Sequence, residues 1–329
     1  MRKFFKKPYR WAIIYSTVLI FFSTYMMLDT FVFTKAIAYV PVAAAAAAAP
    51  ETETQSPVSS ADIEDSGGST EAQDTAFEAE ASTESTEAPI ISDTYYKDEN
   101  IEITIETQYI YDTMVYIADI KLSDVSYLKT ALAGNTYGRN IKDTTSDMAE
   151  ENNAILAING DYYGFRDYGF VLRNGVLYRT TVGDADALVI DSEGDFSIAD
   201  ESSTDAEALA SDGAWQVLSF GPGLIENGEI SVDADSEVGR SKTSNPRTAI
   251  GQIDSLHYLI IVSDGRTDES AGLTLLELAQ IFDDYGCTTA YNLDGGGSST
   301  MWFNGQVINN PTDGRNSGER SVSDIVYIG

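Results

Sequence analysis

The sequence predicts an α+β fold of hairpin-rich, mixed or antiparallel sheets with few helices, preceded by one transmembrane helix and a disordered linker. Three observations predict it. Asn-Gly pairs begin at Asn174, Asn227 and Asn304, each between apolar segments, as type I′ hairpin turns require. Only one long stretch, "TLLELAQIFDDYG", repeats apolar residues at helical spacing. The first ninety or so of the 329 residues hold an apolar run and then an acidic low-complexity stretch, leaving one domain of about 235 residues.

Residues 1–10 read as a cytoplasmic basic tail carrying Arg2, Lys3, Lys6, Lys7 and Arg10. The uncharged apolar run over residues 11–28 is about the length a membrane helix needs, so a signal anchor is assigned to 11–33. A basic flank on the cytoplasmic side places everything after it outside, as in a single-pass protein of the cell membrane. A cleaved signal peptide is the alternative, with small residues at 43–50. The anchor is preferred because the run is long for a signal sequence and the alanines lie far behind it.

Residues 34–94 form the predicted linker. Between residues 36 and 94 stand twelve acidic residues and no Lys or Arg, among Ala, Ser, Thr and Pro. Such a segment buries too little apolar surface to offset its ordering entropy, so it reads as a solvated tether.

The domain, residues 95–329, carries 14 basic and 39 acidic residues, which excludes nucleic-acid binding through a basic surface. Cys287 is the single cysteine, so no intrachain disulfide and no thiolate zinc cluster can form. An exported chain without disulfides fits a bacterial surface. His257 is the single histidine and lies inside "LHYLIIV", where a packed strand residue is preferred over a general base.

Along the domain, "IEITIET" alternates and "MVYIADIKL" follows as an apolar run rich in β-branched residues, predicting two strands. A short helix is expected over "SDMAEENN", from Thr145 or Ser146, before the buried strand "AILAING". A fourth hairpin joins "TAIGQI" to "LHYLIIV" through Asp254-Ser255. The long helix has capping-box spacing at Thr274 and Glu277, an apolar face of Leu275, Leu278, Ala279 and Phe282, and Gly286 as its stop.

The chemistry centres on "NLDGGGSST". It has no lysine for a P-loop, and Ser298 has no glycine two residues on for a nucleophile elbow. What remains is a strand ending in Asp294, with glycines that let backbone approach a ligand and hydroxyls at Ser298 and Ser299; an ordinary glycine bend is the alternative. "LIIVSDGR" and "AILAING" likewise end in Asp264-Gly265-Arg266 and Asn159-Gly160-Asp161. Each suits a turn by itself; together they suit a polar cleft at one sheet rim. Arg247, Arg266, Arg315 and Arg320 supply planar guanidinium groups, the local means by which an acidic protein binds an anion, although each alone suits a surface ion pair.

"NGDYYG", "NPRTAIG", "SDGR", "GLTLLELAQIF", "NLDGGGSST" and "RSV", in this order, resemble the phosphodiester glycosidase family, over residues 154–329. The resemblance implies hydrolysis of the bond between a sugar's anomeric carbon and a phosphodiester, with N-acetylglucosamine as the expected sugar. It also implies a cell-surface glycan or wall polymer as substrate and partner. By motif it carries over Asn159, Arg247, Asp264, Glu277, Asp294, Gly295, Gly296, Ser298 and Arg320, with Arg266 ranked below Arg247. Asp161 stands at a position the family leaves variable, and Tyr162 and Tyr163 replace the usual phenylalanines. Glu277 is read as a capping residue before anything else.

In the implied mechanism Asp294 stabilises positive charge at the anomeric carbon or activates water, with Asp264 as second carboxylate. Arg247 with Arg266 or Arg320 neutralises the leaving phosphate, while Ser298, Asn159 and the N–H groups of Gly295 and Gly296 position the substrate. This mechanism requires no cofactor. A metal-dependent phosphoesterase holding Mg²⁺ or Ca²⁺ on Asp264, Asp294 and Asn159 is the rival enzyme, although "DADSE" at Asp233 lacks an EF-hand's glycine and terminal Glu. A wall-polymer-binding module without turnover is the rival non-enzyme.

Overall fold

The structure is a computed structural model describing residues 8–37, 42–43, 88–236, 244–313 and 316–329. Most of the predicted linker, and Arg315, lie outside the described residues. The described chain is mostly sheet, with four α-helices. The first, α1 (Pro8–Phe31), begins three residues before the predicted anchor and ends two before its end. Its segment Tyr9–Thr30 is long and apolar enough to cross a membrane.

Every strand pairing among the described residues is antiparallel. In a nine-stranded sheet, β1 (Ile101–Ile110) and β2 (Thr113–Leu122) form a long hairpin, and β2 pairs with β12 (His257–Ser263). Next come β11 (Arg247–Asp254), β13 (Thr289–Asn292) and β10 (Gly223–Glu226). A five-stranded sheet includes β14 (Met301–Phe303), β4 (Leu156–Asn159), β15 (Asp324–Ile328) and β3 (Leu128–Leu132) in that spatial order. A six-stranded sheet includes β8 (Phe196–Asp200), β7 (Asp186–Ile190), β9 (Gln216–Ser219), β5 (Val171–Arg173) and β6 (Val176–Arg179).

All three sheets bury one face in a common core, to which Ile103, Ile120, Leu156, Ile158, Leu188, Leu218, Ile260 and Val326 contribute. The run "LHYLIIV" is apolar at every step after His257 because β12 is covered on both faces. Tyr258, Ile260 and Val262 enter the common core, whereas Leu259 and Ile261 meet α4 (Leu275–Asp284) on the other side. Gly251 belongs to that contact, since a Cβ there would lie 2.8 Å from the Phe282 ring. The helix starts with the predicted capping box: the Thr274 N–H donates to Glu277 Oε2 at 2.8 Å and the Glu277 N–H to Thr274 Oγ1 at 3.2 Å. Glu277 is therefore a helix cap.

The three Asn-Gly hairpins form, with left-handed φ values of 48° and 74° at Asn174-Gly175, 52° and 77° at Asn227-Gly228, and 45° and 90° at Asn304-Gly305. The fourth differs by one residue: Asp254 pairs with His257, so Ser255 and Leu256 form the turn and Leu256 takes φ 53°. A register shift between Gln252 and Asp254 moves the bend along the chain. The short helix α2 (Thr145–Glu151) packs on the five-stranded sheet under a Thr144 cap. Helix α3 (Ala206–Ser211), too short for a periodic signal, covers the six-stranded sheet under an Asp205 cap.

Candidate active site

Antiparallel pairing brings the chemistry to one rim. Arg247 at the start of β11 lies opposite Ser263 at the end of β12, and Ala249 two residues on faces Asn292 at the end of β13. The chain leaving β12 reaches Asp264, and the chain leaving β13 reaches Asp294. Strand β4 joins them through Asn159, whose Nδ2 donates to the Asp294 carbonyl at 2.6 Å.

Two clefts open at this rim and share Asp294 and Arg320. The smaller, about 100 Å³, is walled by Arg247, Arg266, Arg320, Phe220 and the backbone of Gly295 and Gly296. The larger, about 270 Å³, is lined by Tyr162, Phe165, Lys142, Asp161, Ser298 and Ser323 among others. Tyr162 and Phe165 stack with centroids 4.6 Å apart and make an aromatic wall of the kind a sugar ring packs against.

The arginines are set by local chemistry. Arg247 is buried, with Nε donating to the Leu273 carbonyl at 2.9 Å. Arg266 stands at φ 62° and grips Asn245 Oδ1 through Nε and Nη2 at 3.1 and 2.9 Å. Arg320 holds Asp313 Oδ1 at 3.0 Å through Nε and 2.5 Å through Nη2. The glycine triplet makes room for two of these groups. A Cβ on Gly296 would come within 2.9 Å of Arg266 Nη2, and one on Gly297 within 2.6 Å of Arg320 Nη2. Gly295 runs against the Pro246 carbonyl, 2.9 Å from where its Cβ would be. The three glycines thus serve close approach of guanidinium and backbone.

Asp294 is partly open to the clefts. Burial pushes its pKa up, against the opposing pull of Ser298, Arg320, the Gly295 N–H and Arg166. Ser298 is buried beside it as a hydrogen-bond partner. The Gly295 N–H donates to Asp294 Oδ1 at 3.0 Å and the Gly296 N–H to the Pro246 carbonyl at 2.8 Å, so both backbone donors are spent within the protein.

Asn159 is spent as well: Oδ1 accepts from Thr248 Oγ1 at 2.8 Å and the Thr300 N–H at 3.3 Å, while Nδ2 serves the Gly160 and Asp294 carbonyls. It holds three strand ends together. Asp264 lies outside the lining of both clefts. Its carboxylate accepts from the Asn310 N–H at 2.8 Å and Tyr116 OH at 3.3 Å, and burial raises its pKa. The oxygen set Asp264, Asp294 and Asn159 is therefore largely engaged by protein donors and acceptors. Among the described residues no group of three or more His, Cys, Asp or Glu side chains is placed to hold a metal ion.

Sequence reasoning missed a buried ion triad beneath the larger cleft. Arg173 donates through Nη2 to Asp161 Oδ2 at 2.8 Å and to Asp324 Oδ2 at 2.8 Å, with side-chain exposures of 2%, 0% and 0%. Burial, with Asp161 nearby, pushes Asp324 up to about 8. The signal was present: "FVLRNGVLY" and "VSDIVYI" each place one charge inside an apolar strand, which demands a buried partner. His257, by contrast, pairs with Asp119 at 3.1 Å between neighbouring strands. Burial raises Cys287 to about 12, leaving an inert thiol.

The rim thus sets three arginines and a half-buried carboxylate around one cleft, beside a second, aromatic-walled cleft. The chain belongs to the phosphodiester glycosidase family, whose profile matches residues 152–329. It is 32% identical over 200 residues to the SPbeta prophage-derived uncharacterized protein YomE of Bacillus subtilis, covering 58% of this chain and 30% of that protein. It is 36% identical over 110 residues to the human N-acetylglucosamine-1-phosphodiester alpha-N-acetylglucosaminidase, covering 30% of this chain and 21% of that one. The match thus spans less than a third of either curated relative. Among solved structures, the catalytic domain of the zebrafish N-acetylglucosamine-1-phosphodiester alpha-N-acetylglucosaminidase, auto-inhibited by its pro-peptide, shares the fold with TM-score 0.56 at 20% identity. That match covers 69% of this chain and 82% of that chain. A hypothetical protein from Synechocystis shares it with TM-score 0.54 at 14% identity, covering 70% and 62%.

Proposed function

We propose that this chain is a membrane-anchored extracellular hydrolase of a bacterial surface, cleaving the anomeric bond of a sugar 1-phosphodiester in a surface glycan or wall polymer. N-acetylglucosamine is the proposed sugar, by analogy with the named activity of the animal relatives. One observation carries the reading: Asp294 stands where the arginine cleft and the aromatic cleft meet. A phosphate among Arg247, Arg266 and Arg320 and a sugar beside Tyr162 and Phe165 place the anomeric carbon between them, at Asp294.

In this reading the bond from the anomeric carbon to the bridging oxygen breaks, and both its electrons leave with the phosphate. The arginines offset that charge. Asp294, ionised, stabilises the electron-poor ring carbon or takes a proton from the attacking water. Ser298 orients the carboxylate. Asn159 and Asp264 act from behind, by holding the strand ends and the loop at Asn309 and Asn310. The N–H groups of Gly295 and Gly296 act likewise by shaping the turn. This mechanism requires no metal, and helix α1 tethers the domain to the membrane.

Hydrolysis of an N-acetylglucosamine 1-phosphate methyl ester in ¹⁸O-labelled water tests the reading. Label in the sugar supports it. Label in the phosphate makes the protein a phosphoesterase, for which loss of turnover in a chelator would identify a metal. Tight binding of wall polymer with no turnover leaves a binding module.

A further inference from the structure

The described arginines of the domain are engaged with the protein in one way or another, with one contrast. Arg139 pairs with Asp167, Arg173 with Asp161 and Asp324, and Arg320 with Asp313. Arg179 is spent on three backbone carbonyls and Arg266 on Asn245. Arg166 is held by rings. Its guanidinium carbon lies 4.9 Å from the Phe220 centroid, 5.5 Å from Tyr162 and 5.9 Å from Tyr168. Among the described residues its guanidinium N–H groups find no hydrogen-bond acceptor and no carboxylate, although its sequence neighbour Asp167 is at hand and turns to Arg139. In a chain with 52 acidic and 20 basic residues, a carboxylate partner is the easiest thing for an arginine to acquire. Aromatic faces fix the plane of a guanidinium while leaving its five donors unspent.

The position of this cation gives it a use. Phe220 walls the arginine cleft and Tyr162 the aromatic one, so Arg166 lies beside the seam between them. Its positive charge is felt at Asp294. It lines neither cleft, and Tyr168 beside it is 43% exposed, so the ring cluster opens to solvent at the outer lip. The small cleft already has three arginines for one phosphate. A fourth cation outside it serves negative charge farther along the ligand.

We infer that Arg166 is a second anion subsite, taking an oxyanion that the substrate carries beyond the scissile phosphodiester, so that the natural substrate is a chain of repeated phosphodiesters. This rests on the sugar-phosphodiester reading of the two clefts.

The test uses the full chain in detergent micelles and two substrates. One is the methyl ester of N-acetylglucosamine 1-phosphate; the other joins N-acetylglucosamine 1-phosphate through glycerol to a second phosphate. The expected kcat/KM is about tenfold higher for the two-phosphate ester, mainly through KM, as one charge-assisted contact supplies. Arg166→Gln should bring the ratio near one, and Arg166→Lys, which keeps the charge and loses the planar fork, should leave it intermediate. A ratio unchanged in Arg166→Gln overturns the inference. Should Arg166→Gln not fold, Arg166→Lys carries the comparison, with a ratio equal to wild type as the overturning result. If neither ester is hydrolysed, the glycosidase reading fails separately. Calorimetric binding of a glycerol phosphate oligomer then decides: about tenfold weaker binding to Arg166→Gln upholds the subsite, and equal affinity removes it.

Discussion

Replacing Arg173 by Met tests the buried triad most directly. All the donors of Arg173 face acceptors inside the protein: Nε and Nη2 serve Asp324 Oδ2 at 3.1 and 2.8 Å, Nη2 serves Asp161, and Nη1 serves the Leu172 and Val217 carbonyls. Methionine fills much of the volume and leaves two carboxyls buried without a cation. Removing one partner from a buried ion pair costs about 3–5 kcal/mol. The cost depends on pH in a definite direction. In the wild type, burial already raises Asp324 to about 8, so the folded state holds a proton that the unfolded chain releases near pH 4. The stability this group contributes is fully present below the unfolded pKa and is lost as pH rises through about 8, by at most about 1.4 kcal/mol per unit. Without Arg173 the attraction that opposes burial at Asp324 is gone, so this carboxyl shifts further up and the loss with rising pH runs on beyond pH 8. Urea unfolding of the full chain in detergent, followed by fluorescence of the buried Trp302, should show Arg173→Met losing about 3–5 kcal/mol at pH 9.5 and less at pH 6. Adding Asp324→Asn should recover part of the deficit at pH 9.5. A deficit below about 1 kcal/mol, or the same deficit at both pH values, refutes the account.

Further outcomes follow from the rim. Asp294→Asn should lower kcat by about 10²–10⁴ in an ester-hydrolysis assay with little change in melting. Because burial raises the Asp294 pKa, the wild-type acid limb should lie above the ordinary carboxylate range and vanish in that variant's residual rate; a limb unmoved by the substitution would assign it elsewhere. Arg247→Ala should cut turnover about 10²-fold or more while the protein stays folded, and a melted variant would instead mark Arg247 as structural. Gly297→Ala should displace the Arg320 and Asp313 side-chain ends, raising KM while shifting the melting temperature little, since those ends are flexible. Thr274→Ala should cost about 1 kcal/mol through the lost cap and leave KM alone, which circular dichroism melts and kinetics would separate.

What could be read along the chain was what short-range physics decides. The Asn-Gly hairpins, the capping box at Thr274 and Glu277, and the strand in "LHYLIIV" each depend on neighbours within a few residues or on simple periodicity. The glycines after Asp294 were also recognisable as places of close approach. Their occupant was not: only the folded sheets bring Arg266 from one strand end and Arg320 from the C-terminal loop against Gly296 and Gly297. The same holds for Asn159, which has the residue type of a ligand group yet is consumed by Thr248, Thr300 and Asp294 from distant segments. The Arg173 triad joins three strands and loops through contacts up to 151 residues apart, so sequence could announce isolated charges in apolar strands without saying which would meet. The sequence by itself determined the elements and the inventory of anion-binding groups. Which of those groups face a cleft, and which are spent holding it in shape, was decided by long-range antiparallel pairing, because a side chain's role depends on where its hydrogen bonds end.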